Sequence, residues 1–331
     1  MGRLLEYRSA SPPCTPLFVG PVACLEHRMP PTHHVRNFAW GDLEALTLLH
    51  NAVTGIAETG WAFEPGDMRL LLSQPAYEPA EDCFLAFSES QLAGYALLTR
   101  EPRIDRAVAA GGVAEQYRSR GLGRLLLDAV SRRGSAARLD VQVPAGSEPG
   151  RRLLEGAGFE VVRRYWSLEW DGTSLPSPRL PNGFSTRSFE PGTDEGLLAD
   201  LQNAAFQGQW GFSPNTPDEI AAKMRLRWYG PGGMLFLLDG TTPVGYNWTA
   251  RASSVPGFTG RIGMTGVHPS YRGRGLGRGI VLAGMEHLRA EGAGRIELEV
   301  DAGNVPAREL YLSIGFRKTA ESIWYEKLAV R

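Results

Sequence analysis

The sequence predicts a mixed αβα fold of the α+β class, written twice in tandem. Three observations carry that prediction. The first is self-similarity: Val113-Ala114-Glu115-Gln116-Tyr117-Arg118-Ser119-Arg120-Gly121-Leu122-Gly123-Arg124 parallels Val267-His268-Pro269-Ser270-Tyr271-Arg272-Gly273-Arg274-Gly275-Leu276-Gly277-Arg278, at an offset of 272 − 118 = 154. The offset is 245 − 94 = 151 upstream, where Gly94-Tyr95 meets Gly245-Tyr246, and 316 − 159 = 157 downstream, where Gly158-Phe159 meets Gly315-Phe316. A small drift with the order kept is what loop insertions leave in a repeat. The second observation is that helical and strand periodicities alternate in the same order in both copies. The third is a glycine-rich loop between a strand and a helix, once per copy.

Each copy opens on an amphipathic helix. Leu43, Leu46 and Leu49 mark the first, and Leu197, Leu198, Leu201 and Ala205 the second. A hairpin follows, Phe84–Phe87 into Gly94–Leu98 and Leu235–Leu238 turning at Asp239-Gly240 into Val244–Tyr246. A strand ends at Val113 or Val267 and the glycine loop follows. The next helix is amphipathic, with Leu276, Ile280, Val281, Met285 and Leu288 in the second copy. Then comes an alternating strand: Leu139, Val141 and Val143 around Asp140 and Gln142, or Ile296, Leu298 and Val300 around Glu297 and Glu299. A short helix stops at Gly158 or Gly315, the usual place for a left-handed cap. An aromatic strand closes each copy, at Tyr165-Trp166 and Trp324-Tyr325.

A chain of 331 residues fits two domains. The Pro/Ser/Gly-rich stretch 171–183 is the expected linker, between domains at 35–170 and 184–331. Residues 1–34 read as an extended arm. A net charge of −1 gives no reason to bind nucleic acid or an anionic membrane. No segment has the ~20 apolar residues of a membrane helix. The three cysteines, Cys14, Cys24 and Cys83, form no Cys-x-x-Cys pair, so neither a disulfide framework nor a zinc site is expected, and a reducing cytoplasm fits. The six histidines show no ligand spacing, so no metal is expected.

Strand, glycine loop and helix together make an anion site. The first amides of a helix lack internal partners and its dipole adds positive charge. Glycines let phosphate oxygens approach the backbone. Arg272, Arg274 and Arg278 add formal charge. The spacing is neither a P-loop nor the Gly-x-Gly-x-x-Gly of dinucleotide folds.

The string from Val267 to Gly277, with Asn304-Val305-Pro306-Ala307-Arg308-Glu309-Leu310-Tyr311 and Gly315-Phe316 downstream, resembles motif A and the ending of the GNAT superfamily of N-acetyltransferases. The resemblance implies a mixed, mainly antiparallel sheet flanked by helices, with splayed central strands. It implies acetyl-coenzyme A as acyl donor, held by Val267, Arg272, Gly273, Arg274, Gly275, Leu276, Gly277, Arg278, Asn304 and Ala307. It puts the amide near Val267 against the acetyl carbonyl and Tyr311 near the sulfur as general acid. The two-copy layout is similar, more loosely, to mycothiol synthase-like tandem members, whose C-terminal domain is the active one; Leu201–Phe206 is a further local similarity.

The first copy keeps the loop, with Arg118, Gly121 and Gly123. It has Ser147 where the second has Asn304, and Leu154 where the second has Tyr311. Catalysis is therefore expected in the second copy. No carboxylate lies on the strand Arg261–Val267, so Glu299 is the candidate base, ahead of Glu297 and His268. Phe206, Trp210, Phe212, Tyr246 and Trp248 are the expected acceptor wall, suited to an amine with an apolar or planar body. The expected reaction is direct attack of a small-molecule primary amine on the thioester, by a monomer or homodimer. The alternative is a non-catalytic acyl-coenzyme A-binding protein.

Overall fold

The computed structural model describes residues 32–55, 61–75, 77–134, 136–172, 174–230, 232–252 and 257–329. The expected arm at 1–34 and Cys14 and Cys24 fall outside these, except that His33 and His34 open the first strand. The first repeat holds β1 (His33–Asn37), α1 (Leu43–Thr54), α2 (Pro65–Leu72), α3 (Pro79–Asp82), β2 (Cys83–Ser88), β3 (Gln91–Glu101), β4 (Arg106–Val113), α4 (Leu122–Arg133), β5 (Arg138–Pro144), α5 (Glu148–Gly156) and β6 (Glu160–Trp170). The second holds β7 (Phe184–Ser188), α6 (Glu195–Phe206), α7 (Pro217–Met224), β8 (Met234–Asp239), β9 (Thr242–Arg251), β10 (Thr259–Val267), α8 (Leu276–Ala290), β11 (Arg295–Asp301), α9 (Val305–Ile314) and β12 (Arg317–Leu328). A short strand precedes the first helix of each copy, which periodicity did not reveal over five residues.

The layers follow from the hydrophobic faces. Leu43, Leu46 and Leu49 of α1 are buried against Leu85 and Tyr95 on one side of the sheet. Leu122, Leu126 and Val130 of α4 cover Ala86, Ala96 and Leu98 on the other. The second copy repeats this, with Leu198 and Leu201 of α6 against Phe236 and Tyr246, and α8 on the opposite face. Leu197 departs from its expected core place and is 37% exposed. The linker is a packed strap, because Leu180 rests on Gly279 of α8, where a Cβ would lie 2.4 Å from Leu180 Cδ2.

One twelve-stranded sheet runs β1-β2-β3-β4-β5-β12-β6-β11-β10-β9-β8-β7. Among the described residues only β4–β5 and β10–β11 pair in parallel. Both parallel pairs splay: Arg106–Ala109 register with Arg138–Val141, and Thr259–Ile262 with Arg295–Leu298, and pairing ends there. At the second splay β10 also slips its register with β9 between Ile262 and Met264, a bulge at Gly263.

The order shows an exchange. The closing strand of the first repeat, β6, lies beside β11, and the closing strand of the second, β12, lies beside β5. Leu168 and Trp170 of β6 are thereby buried in the second core, and Ile323 and Tyr325 of β12 in the first. A fully buried Leu or Ile of this kind contributes roughly 1.5–3 kcal/mol. Each repeat completes the other's core. No described helix is long and apolar enough to cross a membrane.

Candidate active site

The splay between β10 and β11 opens a cavity of about 710 Å³, within the range of small-molecule sites. Its wall includes Val267, Arg272, Gly273, Gly275, Leu276, Gly277, Arg278, Glu299, Asn304, Ala307, Tyr311, Phe206, Trp210 and Phe212. The strand end, glycine loop, β11, α9 and the α6 loop thus converge on one cavity. Arg274 does not line the cavity: its guanidinium lies 4.8 Å from the Tyr271 ring centroid and donates to the Ser270 carbonyl at 3.3 Å.

The loop is shaped for an anion. Gly273 and Gly275 have φ of 77° and 75°, in the left-handed region. A Cβ at either would meet no atom within 4 Å, so the glycines keep open space above the backbone. Gly275 caps α8 with no side-chain cap hydrogen bond, leaving the first helical amides to a ligand. This fits the diphosphate of an acyl-coenzyme A. Arg272 also braces the loop, since its Nη2 donates to the Ala205 carbonyl at 2.6 Å and its Nε to Val267 at 3.3 Å. Asn304 caps α9, accepting the Ala307 amide at 3.3 Å.

The first-copy loop has the same path. Arg118 Nε donates to the Val113 carbonyl at 3.1 Å and Gly121 caps α4 at φ 87°. Ser119 takes φ 60° where the second copy has Gly273. A Cβ at Gly123 would lie 3.2 Å from Leu153, against 3.7 Å between Gly277 and Leu310. Leu154 is buried at the place of Tyr311.

Tyr311 is 7% exposed and packs edge-on to Phe316 at 5.9 Å. Burial pushes its phenol up to about 12, so it holds its proton throughout the neutral range. Glu297, Glu299 and Asp301 share one face of β11. Glu297 is taken by Arg261 at 2.5 Å. Asp301 has Arg163 at 3.8 Å and accepts the Gly303 amide at 2.8 Å. Among the described residues Glu299 alone of the three has no ion-pair partner; Ser167 of β6 stands opposite it in the register of β11 with β6. Glu299 is open to the cavity yet surrounded by its walls. That desolvation raises its carboxyl above the ordinary range, against the opposing charge of Arg261. His268 is turned inward on its own loop, accepting the Ser270 amide at 3.3 Å.

The aromatic wall needs correction. Phe206 stacks on Phe212 at 5.5 Å and Trp210 meets Trp324 edge-on at 5.5 Å; Phe206, Trp210 and Phe212 line the cavity. Tyr246 and Trp248 are core residues, 0% and 4% exposed, and do not line it. They point to the face of β9 that α6 and α7 cover. Residues two apart share a face, but the sequence does not say whether a helix covers it. Polar residues of the wall that the sequence reading missed include Tyr165, Gln209, Thr265 and Asp301, and Ser167 stands opposite Glu299. Tyr165 and Ser167 belong to the first repeat and arrive on β6 through the strand exchange, for which the sequence carries no signal. Among the described residues no cluster of three or more His, Cys, Asp or Glu is placed to hold a metal.

The profile of the acetyltransferase (GNAT) family matches residues 47–159 and again 197–316. A mycothiol acetyltransferase of Thermobispora bispora is 33% identical over 300 residues, covering 87% of this chain and 96% of the relative. One from Pseudarthrobacter chlorophenolicus is 32% identical, covering 77% and 80%. Among solved structures, a GCN5-related N-acetyltransferase of Sphaerobacter thermophilus superposes with a TM-score of 0.68 at 23% identity, covering 89% of this chain and 95% of that one. A tandem GNAT protein from the clavulanic acid biosynthesis pathway gives 0.68 at 19%, covering 91% and 99%. At such identities the structures speak for the fold alone.

Proposed function

Because the chain belongs to the acetyltransferase (GNAT) family, with two copies of the family fold in tandem, we propose that it transfers an acetyl group from acetyl-coenzyme A to the primary amine of a small molecule, with the chemistry in the second copy. The observation that carries this reading is the meeting of Tyr311, Glu299 and the Arg272–Arg278 loop around one cavity. The loop amides and Arg278 hold the diphosphate. Asn304 and Ala307 flank the pantetheine arm. The parted end of β10 offers the amide near Val267 to the carbonyl oxygen as negative charge develops.

Glu299 accepts a proton from the acceptor ammonium or from the attacking nitrogen. The nitrogen forms a bond to the acetyl carbon, the carbon–sulfur bond breaks, and Tyr311 returns a proton to the leaving thiolate. Holding both reactants in one cavity makes the attack effectively intramolecular. The first copy lacks the acid and does not catalyse.

The name shared by the sequence relatives puts the des-acetyl form of mycothiol first among acceptors to try. The test is a panel of primary amines, that compound included, incubated with acetyl-coenzyme A while free thiol is followed. Saturable thiol release dependent on one amine supports the reading. Binding of acetyl-coenzyme A without turnover of any amine would sink it.

A further inference from the structure

The segment 207–216 between α6 and α7 carries Trp210 and Phe212, the outer wall of the cavity. Its far end is held by its own repeat. Asn203 Nδ2 donates to the Asn215 carbonyl at 3.0 Å and Asn203 Oδ1 accepts the Asn215 amide at 2.8 Å. Its middle is held by the other repeat. Arg106 Nη2 of β4 donates to the Gly211 carbonyl at 2.6 Å, and Arg103 Nη1 to the Pro214 carbonyl at 2.7 Å.

Arg106 is built for one task. It is 6% exposed, its Nε donates to Glu101 at 2.5 Å and its Nη1 to Asp140 at 3.4 Å. Two carboxylates fix the guanidinium, and the remaining nitrogen crosses to the other repeat. Gly211 is its match: φ is 73°, and a Cβ there would lie 2.5 Å from Arg106 Nη1. Only glycine satisfies both conditions without displacing the arginine. The Arg106 and Arg163 guanidiniums lie 5.8 Å and 5.7 Å from the Trp210 ring centroid. The opposite loop is tied in the same way, because Arg227 of the second repeat donates to the Ala62 carbonyl at 2.5 Å, and 214 − 62 = 152 makes Ala62 and Pro214 equivalent positions.

We infer that Arg106, with Arg103, is a positioning residue for the acceptor: by gripping the Gly211 and Pro214 carbonyls, the non-catalytic repeat sets the wall against which the catalytic repeat binds its amine. The inference rests on the acetyl-transfer reading above. A loop free of the grip still leaves the acetyl-coenzyme A site complete, because the glycine loop and α9 are anchored within the second repeat. Acceptor binding and donor binding therefore separate.

The test uses the full chain with acetyl-coenzyme A and des-acetylmycothiol, comparing wild type with Arg106→Met, Arg103→Ala and Gly211→Ala. Arg103 is largely exposed and Gly211 carries no charge, so those two variants still test the grip if Arg106→Met fails to fold. The expected result is an acceptor KM raised tenfold or more in Arg106→Met and Gly211→Ala and several-fold in Arg103→Ala. The acetyl-coenzyme A dissociation constant should stay within twofold and kcat within a few-fold. Hydrogen exchange of the 207–216 amides should quicken at least tenfold. An acceptor KM unchanged in a folded variant of an active enzyme overturns the inference, as does a parallel loss of donor affinity. Absence of wild-type turnover would strike the parent reading instead, and unaltered exchange in 207–216 would then overturn the grip on its own.

Discussion

Glu299 of the second repeat stands directly opposite Ser167 of the first, in the antiparallel register of β11 with β6. The pairing brings the hydroxyl of one repeat to the carboxylate of the other. The proposed base thus has a side chain of the first repeat as its cross-strand neighbour.

Glu299 works as a base only when ionised. Since burial raises its pKa, kcat should climb with pH through a value above the ordinary carboxylate range. Glu299→Gln should lower kcat by about 10²- to 10⁴-fold and remove that acidic limb. Steady-state kinetics across pH 4–9 check this, and a wild-type limb persisting in the variant would assign it elsewhere.

Tyr311 has its pKa pushed up to about 12, so it gives no alkaline limb below pH 10. Tyr311→Phe should cut kcat by about 10²-fold or more while acetyl-coenzyme A binds as before. Calorimetry beside kinetics separates the two effects. A large loss of donor affinity would reject the acid role.

The two loops differ at equivalent left-handed positions, Ser119 and Gly273. Ser119→Gly should relieve roughly 1 kcal/mol of backbone strain, read as a higher denaturant midpoint. Gly275→Ala should cost about 1–2 kcal/mol for its φ of 75°. Its Cβ also enters the open space proposed for the diphosphate, so acetyl-coenzyme A affinity should fall tenfold or more. Equal donor affinity in wild type and Gly275→Ala would remove the loop from the donor site.

Tyr246 has no hydrogen-bond partner for its hydroxyl among the described residues. Tyr246→Phe should leave stability equal or higher by up to about 1 kcal/mol, with acceptor KM within twofold. A several-fold rise in KM would return Tyr246 to the acceptor wall.

The exchange of β6 and β12 predicts that fragments 33–170 and 184–331 do not fold separately. Each would lack the strand that fills its core. Neither alone should melt cooperatively, whereas the co-expressed halves should copurify. A cooperative transition in isolated 33–170 would show the exchange to be dispensable.

The sequence by itself determined the repeat, the order of elements and the glycine loop. These rest on local chemistry: a glycine where φ is positive, an uncapped helix end, and hydrophobic faces at a period of two or 3.6. Tyr311 and Asn304 were singled out through the family resemblance, which rests on a contiguous string along one short helix ending at Gly315. Tertiary structure decided which faces are covered, and so moved Tyr246 and Trp248 into the core. It also decided which strands become neighbours. Tyr165 and Ser167 reach the site because β6 crosses to the other repeat, and Arg106 meets the Gly211 carbonyl from β4 of the neighbouring repeat. Strand pairing is a contact between distant segments, and nothing in the local pattern of either strand distinguishes one partner from another.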